Sequence, residues 1–276
     1  MDLPGITEVT GARLDAWRPG DAWLAGGTWL FSEPQPDLTR LLDLRAFGWP
    51  SLRESPDGLE IAATCTLAEL ARLRAPQWRA APLIGQCCAA LLGSFKVWNA
   101  ATVGGNLCLA LPAGPMISLT SALDGECTIW RPDGTARRVP VADFVTGPGQ
   151  CVLRPGELLR SVHLPSSALD GVTAFRQFSL SPLGRSASVV IGCRPAAGGG
   201  GDGGDGGDGG GPLVITVTAA TTRPVQLRFP AIPGPDELLA GLDGCVYYED
   251  VHGSAEWREA ITRHLALEIL DEMAQL

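Results

Sequence analysis

Two glycine pairs are the residues of this chain best suited to chemistry. They stand in Ala25-Gly26-Gly27-Thr28 and in Thr102-Val103-Gly104-Gly105-Asn106. Paired glycines adopt backbone angles that point successive N–H groups into one concavity. Lacking Cβ atoms, they also let a phosphate approach the main chain. The hydroxyls of Thr28 and Thr102 and the amide of Asn106 would add side-chain hydrogen bonds. Neither turn carries the Lys-Ser or Lys-Thr pair of a P-loop, and neither fits the GxGxxG spacing of dinucleotide folds. One such turn is ordinary loop chemistry. Two of them, each read as following a strand, make an anion site of diphosphate size. No acid–base pair, triad or metal cluster competes with it. His163, His252 and His264 are scattered, and none of the eight cysteines forms a CxxC pair. The cysteines read as small buried residues with free thiols.

The elements that must hold these turns follow from patterning. Asp21 to Leu24 reads as a strand into the first turn, and Leu38 to Leu44 as another. Leu59 to Ala63 alternates as a strand, after which Thr66 and Glu69 form a capping box for a helix. A helix rich in Ala, Cys and Leu is expected from Pro82 to Phe95, and another from Ile117 to Leu123. Cys127 to Arg131 and Arg137 to Val141 form a hairpin about Pro132-Asp133-Gly134, and Ser161 to Leu164 is a further strand. Residues 165–171 read as a linker. Beyond it Val172 to Leu180, Ala187 to Cys193 and Leu213 to Ala220 read as strands, with a final helix from Ala255 to Met273 capped by Ser254. Between the last two strands lies an almost pure Gly/Asp tract, expected to be a disordered loop at 197–212. Its repeat lacks the apolar residue that calcium-binding solenoids need in each turn, so the reading is a flexible insertion bridging a long hairpin.

Length and charge bound the function. At 276 residues the chain can bury a large core, and 45% apolar with 18% charged residues is a folded composition. A formal net charge of −9 argues against non-specific nucleic-acid binding. No apolar stretch approaches the roughly 18 residues of a membrane span. The first residues lack the basic-then-apolar pattern of a signal peptide, so a cytoplasmic location is expected.

Four stretches carry a resemblance. WLAGGTWLFSEPQPDLTRLLDLRAF contains the first turn and WNAATVGGNLCLALPAGP the second. DGTARRVPVADFVTGPGQCVLRPGELLRSVHLP and DVHGSAEWREAITRHL follow. In this order they resemble the FAD-binding subunits of molybdenum hydroxylases of the xanthine dehydrogenase and carbon monoxide dehydrogenase type. The resemblance implies an α+β chain. Residues 1–165 would form a PCMH-type FAD-binding fold of two α/β subdomains, about 1–50 and 51–165, the larger on a five-stranded sheet. Residues 170–276 would form the flavoprotein C-terminal domain, a three-stranded antiparallel sheet with helices.

The resemblance also implies site residues. Ala25, Gly26, Gly27 and Thr28 would take one side of the FAD diphosphate and Thr102, Gly104, Gly105 and Asn106 the other, with Leu24, Trp29 and Ala101 beside them at the cofactor, Trp29 bordering the flavin or packing in the core. Leu158 or Leu159 would lie against the isoalloxazine ring, with Arg176 as a nearby cation. Threonine at position 28, where covalent relatives of the wider superfamily carry histidine, implies non-covalent FAD. The implied function is electron transfer from the [2Fe–2S] clusters of a small partner subunit to an external acceptor. The molybdenum cofactor would sit in a large partner subunit, the whole being a heterotrimer or its dimer. Three positions depart from the family pattern. Trp98 replaces an arginine, Pro115 replaces an aspartate, and the stretch Arg185 to Val190 lacks the usual acidic residue. Those losses keep a flavin-free assembly subunit open as an alternative, beside a stand-alone flavin oxidoreductase.

Overall fold

The computed structural model describes residues 5–196 and 211–276. The chain opens on a small parallel sheet of β1 (Glu8–Gly11), β2 (Asp21–Leu24) and β3 (Arg40–Asp43), with β3 in the middle. Register places Asp21 opposite Arg40. Arg40 grips the buried carboxylate with two N–H donors, Nε at 2.9 Å and Nη2 at 2.6 Å. Bidentate charge-assisted bonds of this kind fix geometry as well as charge. They hold the strand that leads into the first glycine turn.

The second sheet has five strands, as expected, in the order β4-β5-β10-β6-β7. Its strands β4 (Leu52–Ser55) and β5 (Gly58–Ala62) precede a helical layer. That layer holds α1 (Leu67–Ala71), α2 (Ala81–Ala89), α3 (Phe95–Trp98), α4 (Val103–Leu109) and α5 (Pro115–Ala122). Thr66 caps α1 with the full capping box to Glu69. The expected helix from Pro82 to Phe95 is divided: α2 ends at Ala89, and α3 begins only after Gly93 and Ser94. Glycine and serine both favour breaks of this kind. The hairpin β6 (Glu126–Trp130) and β7 (Ala136–Pro140) forms about Asp133 and Gly134 as read. Then come α6 (Val141–Phe144), a ribbon of β8 (Val145–Gly147) and β9 (Gln150–Cys151), and the central strand β10 (Leu158–Pro165). A stack of Phe47 on Trp49, with Trp130 edge-on to both, joins the first sheet to the second.

Residues 165–171 are not a bare linker. Ser166–Leu169 forms α7, which buries Ala168 and Leu169. The C-terminal sheet has four antiparallel strands rather than three: β11 (Val172–Phe178), β12 (Ser188–Arg194), β13 (Leu213–Thr218) and β14 (Val225–Phe229). The fourth was missed because Val225-Gln226-Leu227-Arg228-Phe229 follows a turn at once and carries two polar residues. β12 and β13 pair antiparallel as the two arms of the expected hairpin, Val189 opposite Thr218. Residues 197–210 of the Gly/Asp tract lie outside the described residues. Both arms are buried nearly throughout. One face meets α9 (Ala255–Gln275), which follows α8 (Pro235–Leu242) and is capped by Ser254 as expected. The other meets α5, all eight of whose residues are buried. A helix covered on every side needs no amphipathic stripe.

Cys65, Cys87, Cys88, Cys127 and Cys193 are buried free thiols, and burial pushes Cys65 up to about 12. They are core residues and chemically inert. No described helix is long and apolar enough to cross a membrane.

Candidate functional site

The two glycine turns meet. A Cβ on Gly26 would lie 1.7 Å from the carbonyl oxygen of Ala100, so only glycine lets the first loop rest on the chain entering the second. Gly27 has φ +70°, in the left-handed region, and a Cβ there would strike the Phe31 ring at 2.5 Å. The loop closes on itself through Phe31 N–H to Gly27 O at 2.9 Å and the Ser32 hydroxyl to Thr28 O at 2.6 Å. Among the described residues, the N–H groups of Gly26, Gly27, Thr28 and Trp29 donate to no protein acceptor. Successive free N–H groups in a turned backbone form an anion-binding concavity.

The second turn is built differently. It is the first turn of α4, entered from α3 and not from a strand, with Thr102 as N-cap. Its donors are used within the fold. Val103 N–H goes to Cys65 O, Gly104 N–H to Ala63 O, Gly105 N–H to the Thr102 hydroxyl, and Asn106 N–H to Thr102 O. Gly104 is required because a Cβ would come within 2.4 Å of Ala63 Cβ. Asn106 spends its side-chain oxygen capping α5, accepting from Met116 N–H at 3.0 Å. Thus the first turn offers main-chain donors while the second braces the helix beside it.

Between them runs a cleft of about 560 Å³. Leu24 through Leu30 form one wall, and Ala101, Thr102, Gly105 and Asn106 the other. The segment just after α2 (Ala90 to Leu92), most residues between Cys108 and Pro115, and Arg185 with Ser186 also line it, together with Trp23, Gln35 and Val97. Of the residues expected at the site, eleven from Leu24 to Asn106 gather at this junction, Gly104 as packing beneath the wall. Three do not come to it. Leu158 and Leu159 are buried within β10, one in each of two core clusters. The two leucines of the motif point into the cores because the preceding Glu157 anchors it. Its buried carboxylate accepts from Arg137 Nη2 at 2.6 Å and Nε at 3.0 Å, and from Arg154 N–H at 2.9 Å. Those partners hold Glu157 below the usual carboxylate range, Arg137 most strongly. Its carbonyl also takes the Trp23 indole N–H at 3.0 Å, which ties the motif to the strand before the first turn. Arg176 instead faces α9, paired with Glu268 at 2.8 Å and Glu272 at 2.7 Å.

The departures from the family pattern also find places. Trp98 gives its indole N–H to Leu91 O and packs on the core, and Pro115 starts α5 while lining the cleft. Sequence reading missed Arg185, which lines the cleft from the β11–β12 turn. The signal was present, because a cation stands in the very stretch searched for an acid.

The cleft suits FAD. Its volume lies within the roughly 300–1,000 Å³ of cofactor sites, its walls are mainly apolar, and its free main-chain donors suit a diphosphate. A family model described as the FAD binding domain in molybdopterin dehydrogenase matches residues 9–167, more than half of the chain. The chain belongs to this family. It carries the family's FAD-binding domain. Over 137 residues it is 32% identical to the xanthine dehydrogenase FAD-binding subunit of Escherichia coli O157:H7, a match covering 49% of this chain and 44% of that one. Over 135 residues it is 30% identical to xanthine dehydrogenase 2 of Arabidopsis thaliana, covering 46% of this chain and 10% of the plant protein. The chain therefore aligns with only a small part of the larger enzymes. A structure of reconstituted CO dehydrogenase from Oligotropha carboxidovorans matches with a TM-score of 0.82 at 19% identity, over 98% of both chains. Quinoline 2-oxidoreductase from Pseudomonas putida 86 matches with a TM-score of 0.78 at 20% identity, over 100% of this chain and 99% of the other. At these identities the likeness establishes the fold.

Proposed function

We propose that this chain is the FAD-binding electron-transfer subunit of a molybdenum hydroxylase complex. Its partners would be a large subunit with the molybdenum cofactor and a small subunit with two [2Fe–2S] clusters, in a heterotrimer or its dimer. FAD, held without a covalent bond, would supply two-electron to one-electron redox chemistry between those clusters and an external acceptor. The observation that carries the reading is the cleft itself. It offers four unspent main-chain donors for a diphosphate, and among the described residues its lining holds no carboxylate or histidine for proton transfer. Such a site binds and orients a cofactor and leaves substrate chemistry to another chain.

In this reading Gly26, Gly27, Thr28 and Trp29 hold the diphosphate through their N–H groups. Thr102 and Gly105 brace the facing helix, and the Asn106 side chain lines the gap. Apolar residues from Ala90 to Leu92 and from Leu109 to Pro115 cover the flat ring systems and exclude water. Residues 1–165 would form the FAD-binding part and 170–276 the C-terminal part.

The test is reconstitution. The FAD-loaded chain, mixed anaerobically with the reduced iron–sulfur and molybdenum subunits of its complex, should co-elute with them and lose its flavin absorbance. A chain that assembles but stays colourless would be a scaffold. One whose flavin bleaches with an organic substrate in the absence of partners would be a stand-alone flavoenzyme.

A further inference from the structure

We propose that Arg185 is the cation that meets the redox-active end of bound FAD and favours its reduced form. This rests on the reading of the chain as an FAD subunit. Among the described residues lining the cleft, Arg185 is the one charged side chain. In a chain of net charge −9 that is a marked local choice. The residue makes no ion pair or side-chain hydrogen bond with any described residue, whereas Arg176 is held by two glutamates. Arg185 therefore stands ready for a ligand.

Arg185 itself is exposed, but the two residues that follow it are held in place. Ser186 accepts a hydrogen bond from Gln177 at 2.9 Å, and Ala187 N–H donates to Phe178 O at 2.8 Å. The buried Arg258 donates to Ala187 O at 2.7 Å and to Ala219 O at 2.8 Å. Ala219 N–H in turn donates to Pro112 O at 2.9 Å, so this clamp holds the chain just after Arg185 near the stretch after α4. Arg185, Leu111 and Ala113 also share a second hollow of about 40 Å³, water-sized, behind the cleft.

The cation thus lies at the far end of α4 from the glycine loop. Seven residues of helix separate the two by roughly 10 Å. With the diphosphate at the loop, the ring end of the cofactor extends toward Arg185. Addition of two electrons and one proton to the neutral ring leaves it with one negative charge. A cation in an otherwise uncharged, mainly apolar cleft stabilises that charge and not the oxidised ring.

The test uses FAD-loaded full-length chain as wild type, Arg185→Gln, Arg185→Lys and Arg176→Gln. Midpoint potentials are read by dithionite titration against a reference dye, FAD affinity by fluorescence, and folding by thermal melts. Arg185→Gln should keep its melt and its affinity for oxidised FAD within a few-fold. Its potential should fall by about 30 mV, the equivalent of a tenfold change for a two-electron couple. Arg185→Lys should recover most of that shift, and Arg176→Gln should show none. An unchanged potential in folded, FAD-loaded Arg185→Gln overturns the proposal. So does a large loss of oxidised-FAD affinity without a change in potential, which would put the arginine at the diphosphate. A wild-type chain that takes up no FAD instead overturns the functional reading, and this proposal with it.

Discussion

Replacing Gly26 by alanine should damage FAD binding far more than it damages the fold. The added Cβ would lie 1.7 Å from Ala100 O and 2.7 Å from Ala100 C. Ordinary contact is roughly 3.5 Å, so the first loop must retreat by nearly 2 Å from the second. Overpacking of this kind costs about 1–3 kcal/mol of stability. The same displacement spoils the aim of neighbouring N–H groups at a diphosphate. Hydrogen bonds to charged groups contribute about 1.5–3 kcal/mol each. Losing two weakens FAD by about 3–6 kcal/mol, or roughly 10²- to 10⁴-fold. Fluorescence titration of FAD into wild type and Gly26→Ala measures this directly. Gly134→Ala is the control. Gly134 has φ +81° with nothing within 4 Å of a Cβ, so alanine there strains a hairpin outside the cleft lining. It should cost about 1–2 kcal/mol of stability and leave FAD affinity unchanged. Wild-type affinity in Gly26→Ala would refute the account of the loop as the anion site.

Thr102→Ala removes the N-cap of α4 and should lower stability by about 1 kcal/mol, with less than a tenfold loss of FAD affinity, because the Thr102 oxygen is already spent on Gly105 N–H. A loss as large as that of Gly26→Ala would show that this hydroxyl serves the cofactor. Glu157→Gln should cost about 3 kcal/mol at pH 7 by leaving Arg137 without its carboxylate, as read by guanidinium unfolding. Arg137 holds the Glu157 carboxylate below its unfolded value, so the stability it contributes is complete above that value. It is lost as pH falls through the lower folded one. The wild-type advantage over Glu157→Gln should therefore persist from pH 7 to about 5 and shrink below about 4. An advantage that grows on acidification would contradict the assignment.

The fold was legible wherever local rules coincide with the tertiary answer. Thr66 and Glu69 announced a capping box, Ser254 an N-cap, and the alternation on either side of the Gly/Asp tract a pair of strands. Sequence reading failed where tertiary bonds decide. Gly104 and Gly105 look like a phosphate turn, yet Ala63, Cys65 and Thr102 consume the N–H groups of that helix start. The same spacing served opposite ends in the two turns, and only the partners tell them apart. The resemblance implies Arg176 at the site, because it matches a basic position of the family, but it pairs with Glu268 and Glu272 on α9. Arg185 escaped notice because its place depends on the distant clamp of Arg258 on Ala187.

The most direct measurement is the absorption spectrum of the purified full-length chain incubated with FAD, before and after acid precipitation. The account predicts flavin bands that remain with the protein through gel filtration, with FAD released intact into the acid supernatant. A folded chain that stays colourless at saturating FAD would contradict it.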